Sequence, residues 1–109
     1  MSEKIYGVNP DEKLTPFLIR DAVVECLRQA YNSDLGFDSG DPNKNLDFCR
    51  SETKKAFANS GGDFDNPTKS SILNAMGELK KFAGNFCDPN IAKEHCQKMM
   101  GLIEKLDSD

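Results

Sequence analysis

The sequence predicts an all-α fold: four helices packed as an antiparallel bundle or as a less regular helical array, behind a short N-terminal arm over residues 1–14. Three observations carry this prediction. Each of the five prolines follows a helix-capping residue, in Asn9-Pro10, Thr15-Pro16, Asp41-Pro42, Asn66-Pro67 and Asp88-Pro89. Asn, Asp and Thr side chains accept from the orphan N–H groups of a first turn, and proline fits the first helical position, where no N–H is needed. Apolar residues then recur at helical spacing between these points, and no stretch alternates with the period of two that a strand requires.

Helix 1 is predicted over 16–33, with Ile19, Ala22, Val23, Cys26, Leu27 and Ala30 on one face and Gly36 as its stop. Helix 2 is predicted over 42–60, beginning either at Pro42 or nearer Leu46, with Leu46, Cys49, Thr53, Ala56 and Phe57 inward and Gly61-Gly62 beyond its end. Helix 3, over 67–84, presents Ile72, Leu73, Met76, Leu79, Phe82 and Ala83, with Gly84 as terminator. Helix 4, over 89–106, presents Ile91, Ala92, Cys96, Met99, Leu102, Ile103 and Leu106, with His95 beside Cys96. The arm segment Ile5-Tyr6-Gly7-Val8 reads either as extended or as a short packed segment. Together these make one helical domain of 109 residues, long enough to bury a core without disulfides or metal as staples.

Composition limits the function. The formal net charge of −4 argues against a nucleic-acid surface, since Glu52 and Glu78 flank the Lys54-Lys55 and Lys80-Lys81 pairs. No apolar run reaches the roughly 18 residues of a membrane span, and the first residues, Met-Ser-Glu-Lys, do not read as a signal peptide. The expectation is a cytoplasmic protein that binds neither nucleic acid nor membrane. Four cysteines in such a chain read as thiols or ligands, not as two disulfides.

In an up-down bundle Cys26, Cys49 and Cys96 share one layer, roughly 10 Å below the end that holds the 1–2 and 3–4 connections. With His95 they form a candidate ligand set for zinc or an iron–sulfur cluster, or a redox pair in Cys26 and Cys96. The opposing reading is core filling, because intervals of 22, 37 and 8 residues between successive cysteines are not those of a zinc knuckle, and free cysteine buries as a small hydrophobe. Cys87, just before helix 4, is the thiol best placed for a helix dipole to activate, with Asp88 opposing it.

Catalysis finds little support. Any Cys-His or Ser-His mechanism must use the single histidine, His95, and Cys96 beside it in the helix points about 100° away. The segment from Asp41 to Glu52 imitates a calcium loop, but Leu46 stands where that turn needs glycine. What remains is apolar surplus: Phe17, Val24 and Tyr31 form a second stripe on helix 1, and Phe48 lies on a polar face of helix 2. Phe37, Phe64 and Phe86 lie in the connections, where aromatics plug bundle ends; Phe37, Phe48 and Phe86, if exposed, instead mark one protein-binding patch. The stripe makes helix 1 either the most buried helix or half of a homodimer interface. The expected function is protein–protein contact without catalysis and without cofactor, with a metal-binding or redox-responsive bundle as the alternative.

Overall fold

The computed structural model describes residues 4–36, 43–86 and 89–106. Among the described residues there are four helices, α1 (Pro16–Leu35), α2 (Leu46–Asn59), α3 (Lys69–Phe86) and α4 (Pro89–Ile103), and no strand beyond one isolated bridge in the arm. The chain is therefore all-α. Among the described residues no helix is long and apolar enough to cross a membrane.

Local chemistry explains the boundaries. Thr15 caps α1, its hydroxyl accepting from Leu18 N–H at 3.3 Å, with Pro16 in the first turn. Gly36 ends α1 at φ 78°, a left-handed conformation that lets its N–H return to the carbonyls of Asn32 and Ser33. α2 starts at Leu46, the later of the two expected starts, behind Asn45 at φ 61°. α3 starts two residues after Pro67 because Thr68 makes the cap: Ser71 N–H donates to Thr68 Oγ1 at 3.1 Å and Thr68 N–H to Ser71 Oγ at 2.8 Å. It runs on past Gly84 to Phe86. α4 begins at Pro89 as expected and ends at Ile103, with turns carrying Leu106 into the core.

α1 packs against all three other helices, whereas α2 and α4 do not touch among the described residues. α4 packs back against α3. Ile19, Ala22, Val23, Leu27, Phe57, Ile72, Met99, Leu102 and Ile103 form the heart of the core. The α2–α3 connection closes tightly over it, since a Cβ on Gly62 would lie 2.9 Å from Ser71 Cβ. Phe64 plugs this end, edge-on to Phe57 with ring centroids 5.6 Å apart and with the Arg20 guanidinium stacked on its face at 4.7 Å.

Three expectations change here. Val24, the middle of the supposed interface stripe, is buried within its own chain at 4% exposure, because α1 is enclosed by three helices. The outer members, Phe17 at 50% exposure and the half-buried Tyr31, are separated by fourteen residues, roughly 21 Å of helix. Tyr31 packs on Phe48 at the far end of α1 with centroids 5.1 Å apart, and Phe48 remains exposed. Leu73, expected in the core, is exposed. Phe37, Cys87, Asp88, and the side chains of Phe82, Ala83 and Phe86, lie outside the described residues.

Among the described residues the buried polar side chains are Arg28 and Asn32 on α1 and Thr53 on α2, whose hydroxyl donates to the Cys49 carbonyl at 2.8 Å. Arg28 is 2% exposed, and its Nε donates to Glu25 at 2.8 Å. Asn32, fully buried, donates to the Lys44 carbonyl at 3.1 Å and accepts from Asn45 at 2.7 Å, tying the approach to α2 onto α1. That bond offsets the left-handed backbone of Asn45.

Candidate functional site

A cavity of about 640 Å³ opens between α1, α3 and α4. Cys26, Leu27 and Ala30 line it from α1, Met76 and Leu79 from α3, and Ala92, Cys96, Met100 and Gly101 from α4. Small side chains at Ala30, Ala92 and Gly101 leave the space, and the two methionines give it adjustable walls. Lys80 and Lys93 stand at its edge near the α3–α4 join, and Glu104 stands toward the opposite end of α4. The N-terminal half of α4 is accordingly half-buried at Ile91, Ala92, His95 and Cys96, whereas Met99, Leu102 and Ile103 further along are in the core.

The arm supplies the most distinctive contact. Ile5 and Val8 exchange two backbone hydrogen bonds of 2.8 and 3.0 Å, closing a turn with Tyr6 at φ 51° and Gly7 at φ 78°. Left-handed backbone at both central positions is a type I′ turn, and it costs energy at a tyrosine. The offset is burial: Tyr6 is 7% exposed, and its hydroxyl shares a 2.7 Å hydrogen bond with His95 Nδ1. The Cys26 thiol donates to the His95 carbonyl at 3.6 Å. The arm is thus a packed segment, with Tyr6 on the His95 ring and Cys26 on the His95 carbonyl.

Burial sets the ionisation of this group. It pushes the Cys26 thiol up to about 12, with Cys96 and Glu25 adding to the rise and Tyr6 opposing it. It also raises the Tyr6 hydroxyl above its ordinary range, with smaller contributions from Cys26, Glu94 and Cys96. Burial and then the Lys98 charge hold His95 below 6.5, against Glu94. His95 is therefore a neutral imidazole at pH 7, and below its unfolded value the unfolded chain binds the proton more readily than the folded one. Stability is expected to fall as pH drops from about 7.5 to about 5.5, and His95→Gln should flatten that slope. Urea midpoints across this window check it cleanly, because the chain has one histidine. An equal slope in both proteins would contradict the neutral buried state.

The expected three-thiol layer is divided. Cys26 and Cys96 share the cavity wall with His95, but Cys49 is fully buried on α2, which does not touch α4. His95 and Cys96, neighbours on one helix, point in different directions, with Nδ1 committed to Tyr6. Among the described residues no three His, Cys, Asp or Glu side chains come together as a metal site. The alignment of Cys26 with Cys96 follows the expected packing of α1 on α4. The involvement of Tyr6 was hidden, since a turn 89 residues away in sequence delivers it; the Tyr-Gly pair in the arm is the local signal of such a turn. Comparisons with family models, curated proteins and solved structures give no match to this chain.

Proposed function

We propose that the protein binds a small, mainly apolar molecule carrying an anionic group, in the cavity between α1, α3 and α4. The observation that carries this reading is the cavity itself, whose volume of about 640 Å³ is that of small-molecule sites and whose walls are apolar around a few convergent polar groups. Lys80 and Lys93 flank the same end of the cavity and supply charge complementarity for the anion. The earlier reading of protein–protein contact rests now on the exposed Phe17 and Leu18 at the start of α1, not on a stripe along it.

Anilinonaphthalene sulfonate, an apolar ring system with one anionic group, is a suitable probe. Saturable binding of one probe per chain is expected, weakened about tenfold or more by Gly101→Trp. No atom lies within 4 Å of a Cβ at Gly101, so the new side chain can fill the cavity without a clash at its base. Lys80→Ser/Lys93→Ser should weaken binding less, because exposed charges are screened. Absence of saturable binding to wild-type protein, with folding verified by circular dichroism, would overturn the proposal. Native mass spectrometry of the protein purified under reducing conditions separates the readings: added organic mass supports the cavity, and bare multiples of the chain support self-association.

A further inference from the structure

We propose that Cys96 and Cys26 form a dithiol site in the cavity wall that exchanges with low-molecular-weight organic disulfides, Cys96 taking the first sulfur and Cys26 closing an intramolecular disulfide. Three observations place the two thiols in this relation. Both line the cavity between packed helices α1 and α4. The Cys26 sulfur lies 3.6 Å from the His95 carbonyl oxygen, and that oxygen belongs to the peptide joining His95 to Cys96. By standard peptide dimensions this brings the Cys26 sulfur to within about 6.5 Å of the Cys96 Cα, so that bonding calls for rotation about the two side chains and a helix shift. Cys96 is also near enough to add to the rise of the Cys26 thiol.

Exposure fixes the order. Cys96 is half-buried and faces the cavity, whereas Cys26 is buried and protonated at neutral pH. The Cys96 thiolate attacks one sulfur of R–S–S–R; that S–S bond breaks, a Cys96–S–S–R bond forms, and the departing RS⁻ takes up the proton Cys96 lost. Cys26 then attacks the Cys96 sulfur, its proton passing to the second departing RS⁻. The protein dithiol loses two electrons, and R–S–S–R becomes two molecules of R–SH. The disulfide would pin α1 to α4 beside the arm turn, while Cys49 stands apart on α2.

The test uses oxidised glutathione on the full-length protein, read by intact mass and peptide mapping. Wild-type protein should lose two hydrogens and map as a Cys26–Cys96 disulfide. Cys26→Ala and Cys26→Ser should each hold a glutathione adduct on Cys96 that persists about tenfold longer than in wild type. Cys96→Ser should give neither the adduct on Cys26 nor the disulfide. The proposal is overturned if Cys96 stays unmodified in the folded wild type while free glutathione exchanges fully, or if its adduct persists equally long with and without Cys26. Probe binding in the cavity is measured separately, so failure of thiol exchange leaves that reading standing.

Discussion

Phe57→Ala is expected to cost about 3–5 kcal/mol, since Phe57 is the largest fully buried apolar side chain among the described residues. Phe57 is fully buried on α2 and meets Phe64 edge-on, while its carbonyl accepts from the Gly62 N–H at 2.8 Å that closes the α2–α3 connection. Truncation removes the transfer energy of the ring and opens a cavity beside the tightly closed α2–α3 connection. The Phe64 plug, on which Arg20 stacks, then loses its aromatic partner. At about 4 °C or more per kcal/mol the melting midpoint should drop by over 10 °C. Urea unfolding followed by far-ultraviolet circular dichroism measures it; a loss below about 1 kcal/mol would mean that this end of the fold repacks freely.

Arg28→Ala should be comparably damaging, at about 3–5 kcal/mol, for an electrostatic reason. Arg28 lies inside the protein with a carboxylate partner, Glu25, one helical turn before it. Removing the guanidinium leaves the half-buried Glu25 without its cation and empties a large volume. The pair is not thereby a net stabiliser relative to apolar packing, since both charges give up hydration on folding. Glu25→Leu/Arg28→Met should accordingly recover most of the loss, to within about 2 kcal/mol of wild type. If the double variant is no better than Arg28→Ala, the other polar neighbours of Arg28 dominate. A pH signature accompanies this: burial disfavours the Glu25 carboxylate, but bonds from Arg28 and Gln29 hold its folded pKa below 4.5. The contribution is present above 4.5 and lost as pH falls through the folded value.

Much of the fold was legible because its cues are local. Thr15-Pro16, Gly36 and Pro89 mark ends of helices through capping chemistry that operates within a few residues. The inward faces of helices 1 and 2 follow from a 3.6-residue period, and Ile19, Ala22, Val23, Cys26, Leu27, Ala30, Cys49, Thr53, Ala56 and Phe57 are all buried. Asn66-Pro67 misplaced a boundary by two residues because Thr68 and Ser71 form a better reciprocal cap.

The candidate site was only half legible. Helical register put Cys26 and Cys96 at matching levels, but register along a chain does not say which helices lie diagonally opposed. Separation of α2 from α4 removed Cys49 from the layer, and contact of α1 with three neighbours turned Val24 from an interface residue into core. The Tyr6 to His95 bond spans the chain, and the cavity is a gap between three helices. By itself, then, the sequence determined the helices, their inward faces and most of their ends, because these depend on backbone geometry and neighbours within a turn or two. Only the tertiary structure decided which thiols meet, which apolar surplus is buried and where the cavity opens. Those depend on the relative placement of helices, which packing of whole faces selects and no local pattern encodes.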